Sequence, residues 1–380
     1  MMPLRSLRVQ GYRSIQRVFL RLGQVNVIVG PNGCGKSNLY RSLYLLAQAA
    51  DGRLARTLAD EGGMPSALWA GEQYKGDPRR VSIDLKFDRW SYSLSLGLPQ
   101  PERSLFQLDP VIREEELCCL DGGRSSIICR RKNGSARVRD DEGKLVDYPG
   151  DLNESESIVS EIREPRRFPE LMELRSTLLG WRFYHQFRTD VDSPLRRPRV
   201  AVRTPVLSQD GGDLAAALRT IQEIGDHEGL AAAVADAFAG GSVDVDLTAG
   251  GMEVQLRTQE FKRPFVAAEL SDGTLKYLCL LAALLSPRPP TLLAINEPDA
   301  NLHPRLFEPL AKLVARAAKH SQLWITTHSE PLAELLQHHA NALLIRLEKQ
   351  AGATRVLGVQ ADGRPEADDG ESRSPNADSE

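Results

Sequence analysis

Three short strand patterns open the chain. Residues 4–10 alternate between apolar and polar, residues 15–22 do so again after a Gly11-Tyr12-Arg13 turn, and residues 25–29 form a nearly continuous apolar run. Alternation predicts a strand with one dry face, whereas a continuous run predicts a strand buried on both. The third run feeds a glycine-rich turn and then a helix over 36–50, in which Leu39, Leu43 and Leu46 repeat along one face. From about residue 265 the same alternation returns. A helix follows Gly273, an apolar strand covers 291–295, and a helix over 304–318 buries Leu306, Leu310, Leu313 and Val314. A strand over 323–327, a helix over 331–338 and strands over 343–347 and 354–359 complete the pattern. Strands interleaved with helices predict an α/β fold with a mostly parallel sheet and flanking helices.

The middle of the chain, 61–264, is denser in Gly, Pro and charge. Residues 81–98 and 125–138 predict antiparallel strands, with Lys132-Asn133-Gly134 as a turn, and 243–247 and 252–256 predict a hairpin around Gly250-Gly251. Asp213 predicts the N-cap of a helix carrying Leu214, Leu218 and Ile221. The longest stretch there without Gly or Pro is the 18 residues 79–96, too short for a long coiled-coil arm. The expected division is a core of 1–60 and 265–360, an inserted β/helical lobe over 61–264, and a disordered acidic tail over 361–380.

Composition narrows the class. At 380 residues and 41% hydrophobic, the chain can bury a sizeable core as one large or two ordinary domains. Its longest apolar run, 277–285, is nine residues, against about 20 for a membrane helix. The first residues lack the apolar stretch of a secretory leader. Cysteines 34, 118, 119, 129 and 279 stand in no disulfide or zinc spacing, and Cys118-Cys119 has no second ligand pair. The expectation is reduced thiols in a cytoplasm, with no membrane contact. The net charge of −3 is deceptive, because residues 362–380 hold seven acids and two arginines. The rest of the chain is about +2, which argues neither for nor against nucleic acid.

The chemistry begins at Gly30-Pro31-Asn32-Gly33-Cys34-Gly35-Lys36-Ser37, a full G-x-x-x-x-G-K-S match between a buried strand and an amphipathic helix. Glycines let successive backbone N–H groups curl around phosphate oxygens, and the helix N-terminus adds partial positive charge. Lys36 can reach the β- and γ-phosphates, and Ser37 can ligate Mg²⁺. An acidic partner is expected on a neighbouring strand. The apolar strand over 291–295 ends in Asn296-Glu297, which can put Asn296 beside the metal and Glu297 beside an attacking water. Ser271 and Gly273, in Leu270-Ser271-Asp272-Gly273-Thr274, open a helix and offer a hydroxyl and bare N–H groups to an anion. His328, in Thr326-Thr327-His328-Ser329, sits at a strand's carboxyl end, where open α/β sheets bind ligands. Each of these three has an ordinary alternative: a turn, a helix cap and a structural histidine.

The order of the four elements resembles an ABC-type ATPase head of the RecF/SMC-like and OLD-like group. In that group's terms the residues from Gly30 to Ser37 match Walker A, Leu270 to Thr274 the signature, Leu292 to Glu297 Walker B, Asp299 the D-loop and His328 the switch histidine. The Glu297-Pro298-Asp299-Ala300-Asn301-Leu302-His303-Pro304 run and the opening residues 7–15 are similar to the group's own. The resemblance implies a P-loop head with an antiparallel β subdomain, Mg-ATP as substrate and cofactor, and hydrolysis with Glu297 and His328 as catalytic residues. It also implies two heads sandwiching two ATPs, hence a homodimer or a partner head, and a Q-loop residue for which Gln186 is the best candidate. Two departures stand out: Asn296 replaces the usual Walker B acid, and Leu-Ser-Asp-Gly-Thr replaces Leu-Ser-Gly-Gly-Gln. An Asn oxygen can still accept from a metal-bound water, so Asn296 would act through water with weaker Mg²⁺ affinity.

Residues 163–203 hold ten arginines against five acids, interleaved with Trp181, Phe183, Tyr184 and Phe187. Arginines suit phosphates and aromatics suit bases, so DNA is a candidate partner, with a solvated charged face as the equal alternative. The Toprim-type nuclease domain that follows OLD-like heads is not visible in the sequence. The expected function is therefore an ATPase acting on DNA in repair, chromosome maintenance or defence. The alternative is an ATP-driven switch regulating a separately encoded nuclease or toxin. A transporter ATPase subunit is disfavoured by the Leu302-His303-Pro304 run and the large insert.

Overall fold

The computed structural model describes residues 2–72, 79–100 and 105–358, apart from 123, 133 and 141. The tail expected to be disordered over 361–380 lies outside them. The chain opens with β1 (Leu4–Tyr12), β2 (Ile15–Arg21) and β3 (Val25–Val29), then α1 (Lys36–Asp51), α2 (Leu54–Asp60) and α3 (Met64–Ala67). A meander of β4 (Arg80–Phe87), β5 (Trp90–Gly97), β6 (Val111–Asp121), β7 (Arg124–Lys132), β8 (Ser135–Arg139) and β9 (Leu145–Asp147) leads to α4 (Ile158–Glu161), α5 (Pro169–Leu179) and β10 (Arg182–Tyr184). Next come α6 (Leu214–Ile224), α7 (His227–Ala237), β11 (Ser242–Thr248), β12 (Gly251–Arg257) and β13 (Phe265–Val266). The described chain closes with α8 (Asp272–Leu284), β14 (Leu292–Asn296), α9 (Phe307–Ala317), β15 (Gln322–Thr327), α10 (Glu330–Ala340), β16 (Leu343–Gln350) and β17 (Ala353–Val356).

The functional end is organised by a six-stranded sheet in the order β10-β14-β15-β3-β16-β17. Its pairings are parallel except for β16 with β17. Parallel sheets are covered on both faces, which is why the central strands β3, β14 and β15 are rich in apolar residues. Alternate side chains go to two different cores. Ile28, Leu292, Ala294 and Trp324 join Leu39, Leu43 and Leu46 of α1. Val25, Val27, Val29, Leu293, Ile295, Leu323 and Ile325 join the buried faces of α8, α9 and α10. Each such aliphatic contributes about 1.5–3 kcal/mol by leaving water, so the frame around the site is rigid.

The second sheet has eight strands in the order β2-β1-β4-β5-β6-β7-β8-β9. It is antiparallel throughout and packs one face, including Leu7, Val9, Ile83, Leu85 and Leu94, onto the α1 side of the first sheet. Sheet membership cuts across the divisions expected at 61 and 264. Strand β1 hydrogen-bonds with β4 on the side away from β2, and β10 is an edge strand of the parallel sheet. A third sheet, β11-β12-β13, contributes Val243, Val245, Val254 and Leu256 to the core with α6 and α7.

Strand β6 has no counterpart in the sequence reading, because Glu114-Glu115-Glu116 breaks its pattern. The structure explains the middle glutamate. Glu115 is fully buried and accepts from Tyr92 Oη at 2.6 Å, Ile158 N at 3.0 Å and the Ser157 hydroxyl. Burial pushes its carboxyl up, and these donors and Arg131 oppose that shift. At Asp213 the helix does begin where expected, but the side chain makes no cap bond to its own helix. It accepts instead from Ser208 N at 2.9 Å and Ser208 Oγ at 2.6 Å.

Candidate nucleotide site

The carboxyl ends of β3, β15, β14 and β10 lie side by side. Their register places Tyr184 against Ile295, Asn296 against Thr326, and Thr327 against Val29. The segments that leave these ends are, in order, the glycine loop, His328, Asn296-Glu297 and Gln186. That is the edge at which open α/β sheets place ligands.

The loop is shaped for phosphate. Gly33 has φ +79° with nothing within 4 Å of an added Cβ, so its face is bare backbone toward open space. Gly35 has φ +109° and caps α1, and a Cβ there would collide with Thr354 Oγ1. Only glycine fits that position. The floor is fastened from three directions: Asn38 Nδ2 donates to Ser14 Oγ at 2.8 Å, which lies 2.8 Å from Thr354 Oγ1. Lys36 is 4% exposed, and its Nζ donates to Gly30 O at 2.6 Å and Pro31 O at 3.1 Å. The ammonium is thus stored inside the loop. Pro31, Asn32 and Gly33 are exposed, Cys34 is buried, and Ser37 is half-buried at the first turn of the 16-residue α1.

Asn296 is the last residue of β14, and Glu297 follows it directly. Thr326 Oγ1 donates to Asn296 Oδ1 at 2.7 Å, and Glu297 N donates to Thr326 O at 2.9 Å. Glu297 has φ +47°, unusual for a residue with a side chain and a conformation held in place by these β15 bonds. Its carboxylate makes no hydrogen bond among the described residues, and its charge is felt by His185 and Lys276. His185 is held below its usual range, first by burial and then by Arg41, with Glu297 opposing.

Asp299 and His328 form a unit. The Asp299 side chain is 2% exposed, accepts from Thr327 Oγ1 at 2.7 Å and lies 3.4 Å from His328 Nδ1. A carboxylate on Nδ1 orients the ring and directs Nε2 outward. Asp299 therefore positions His328 within its own chain.

The signature segment is a helix N-terminus. Ser271 caps the 13-residue α8, accepting from Thr274 N at 3.2 Å, and it is exposed. An added Cβ on Gly273 would approach Asn301 O at 2.7 Å, so glycine is required for α8 to abut the Asp299 turn. Lys276, which the sequence reading passed over, ties these two elements. Its Nζ donates to Glu297 O at 2.8 Å and Ala300 O at 2.6 Å. Burial lowers it to about 8, against the pull of Asp299 and Glu297. A lone lysine at the head of the 277–285 apolar run was the available signal.

Gln186 is exposed and lies two residues past Tyr184, the end of β10. The arginine-rich stretch differs from expectation. Trp181, Phe183, Tyr184 and Phe187 are all buried, with Tyr40 and Tyr44 edge-on to Phe183. These aromatics are core and cannot stack on bases. Arg188 pairs with Asp190 at 2.9 Å, Arg197 lies 3.9 Å from Asp192, and Arg203 pairs with Glu223 at 3.0 Å. Arg196 is turned inward onto the signature segment.

Among the described residues, no group of three or more His, Cys, Asp or Glu could hold a metal, and no helix is long and apolar enough to cross a membrane. The oxygens at this end of the sheet expected to serve Mg²⁺ are the half-buried Ser37 hydroxyl and Asn296 Oδ1, which already accepts from Thr326.

Solved structures share this fold. An SMC head bound to the C-terminal winged-helix domain of ScpA is 17% identical at a TM-score of 0.52, over 93% of this chain and 97% of that one. A Pyrococcus furiosus SMC head with an extended coiled coil, bound to the C-terminal domain of ScpA, is 16% identical at 0.51, over 94% and 96%. A Pyrococcus yayanosii SMC head with a coiled coil and joint is 12% identical at 0.50, over 96% and 98%. No curated protein matches the sequence. A family profile described as "AAA domain, putative AbiEii toxin, Type IV TA system" matches residues 25–334. A match over most of the chain, on a P-loop head of the ABC/RecF/SMC-like fold, makes this protein a member of that AAA-domain ATPase family.

Proposed function

We propose that two copies of this chain close around two Mg-ATP molecules and hydrolyse them, using closure to act on DNA. The observation that carries the reading is the division of parts. The glycine loop, Glu297 and the Asp299-oriented His328 leave one sheet edge, whereas Ser271 stands exposed on another element, at the α8 N-terminus packed on the Asp299 turn. Among the described residues its hydroxyl bonds only within its own helix turn. A second copy would bring that N-terminus to the γ-phosphate.

The residues divide the reaction. Loop N–H groups and the α1 N-terminus hold the phosphates, and Lys36 leaves its two carbonyls for the β- and γ-oxygens. Glu297 accepts a proton from the attacking water as its oxygen bonds to the γ-phosphorus, and the bond to the ADP oxygen breaks with its electron pair. His328 Nε2 and the partner's signature N–H groups would meet the charge that develops on the transferring oxygens. Mg²⁺, when bound, supplies charge neutralisation at the β- and γ-oxygens.

Ser271→Arg tests the closure. The added cation cannot fit at the α8 N-terminus, so ATP-driven pairing should be lost while each chain binds ATP as before. Mixing Ser271→Arg with Lys36→Ala subunits should restore one composite site at most. Sedimentation with and without ATP reads this, and normal pairing by Ser271→Arg would refute the sandwich.

One observation favours the second reading, a slow switch that holds a separately encoded effector. Asn296 Oδ1 is already engaged by Thr326, and an amide offers fewer acceptor sites than a carboxylate. Asn296→Asp should tighten Mg²⁺ and leave turnover equal or higher. A wild type without turnover, with or without duplex DNA, that gains it in Asn296→Asp would establish the switch. Turnover raised by DNA in the wild type would support the first reading.

A further inference from the structure

The signature segment carries Asp272 in the first turn of α8, where a carboxylate would repel a phosphate docking at that N-terminus. Arg196 answers it. Pro194–Arg196 forms a 3₁₀ turn capped by Ser193, which is fully buried and donates to Arg188 O. From that turn the guanidinium reaches the signature, with its side chain only 13% exposed. Nη2 lies 2.6 Å from Asp272 Oδ1. Nη1 donates to Leu270 O at 2.7 Å and more weakly to Ala267 O and Ala268 O. Nε and Nη2 donate to Thr189 O at 3.0 and 2.9 Å, and Nε also to Asp190 O at 3.1 Å. Every nitrogen is engaged, and the partners come from two segments: 189–190, three residues past Gln186, and 267–272.

We infer that Arg196 is a positioning residue for the signature: it masks the Asp272 charge, so that a phosphate can dock at the Ser271 N-terminus, and ties that loop to the Gln186 segment. The inference rests on the ATP-sandwich reading. It accounts for an Asp where a bare glycine would leave the anion site open. Arg forms both bonds at once because its planar fork has five donors, which a lysine lacks.

The test is ATP-driven pairing by sedimentation, alongside ATP binding by each chain alone. Arg196→Met should raise the ATP needed for half-maximal pairing on the order of tenfold, since the like-charge cost is partly screened at the exposed Asp272. Binding of ATP by the isolated chain should not change. Arg196→Met with Asp272→Asn should recover most of the pairing, which a purely structural arginine would not permit. If loss of the long side chain unfolds the loop, Arg196→Lys serves. It keeps the charge and should pair within about threefold of wild type. Wild-type pairing by Arg196→Met, no recovery by the double variant, or a loss in Arg196→Lys as large as in Arg196→Met would overturn the inference. A wild type that does not pair on ATP at all would instead refute the sandwich itself.

Discussion

Lys36→Ala is expected to remove ATP binding while the fold persists. In the structure the Lys36 ammonium is held by Gly30 O and Pro31 O, inside a loop whose other walls are backbone. It is the mobile positive charge available to the phosphates there. Hydrogen bonds to charged groups are worth about 1.5–3 kcal/mol each, and two phosphate contacts together amount to on the order of a hundredfold or more in affinity. Alanine also releases the two carbonyls that the ammonium now satisfies, so the empty loop loses its internal brace. Calorimetric titration with ATP reads the loss, and circular dichroism reads the fold. Affinity like that of the wild type would mean that this loop is not the phosphate site.

Glu297→Gln separates binding from chemistry. The substitution keeps shape and the φ +47° backbone, and removes only the proton acceptor. Nucleotide affinity should be retained, and turnover should fall about 10²–10⁴-fold, the usual contribution of a positioned base. With hydrolysis blocked, ATP should accumulate in a closed pair. Phosphate release and sedimentation on the same sample check both halves. A variant that turns over normally as a monomer would defeat the assignment of Glu297 and the sandwich together.

The arginine stretch shows how burial changes a reading. Arg196, Arg197 and Arg199 are three of the ten arginines in residues 163–203, yet they face different surroundings. Arg196 in fact secures Leu270 and Asp272, so removing it would disturb the signature whether or not DNA binds. The Arg197 side chain is 70% exposed, and the guanidinium of Arg199 donates to Gly212 O at 3.3 Å. Those two are the pair to replace when phosphate contacts are sought.

Much of the site was legible from residue order alone. Phosphate binding demands glycines at fixed spacing, a lysine and a helix start, and these are contiguous, so Gly30 to Ser37 needed no tertiary information. The nearly continuous apolar run at 25–29 announced a strand buried on both faces, and the apolar stretches at 291–295 and 323–327 announced strands. What required the fold was everything made by residues distant in the chain. The pairing of Asp299 with His328, the hold of Lys276 on the carbonyls of Glu297 and Ala300, and the mask of Arg196 on Asp272 join residues 21 to 76 positions apart. Strand β6 was hidden because Glu115 is tolerated in the core only by donors from β5 and the α4 turn. Local pattern reports which face of a strand or helix is dry, since that depends on neighbours in sequence. Which charge meets which partner is set by the packing of the two sheets and their helices, so only the tertiary structure could decide it.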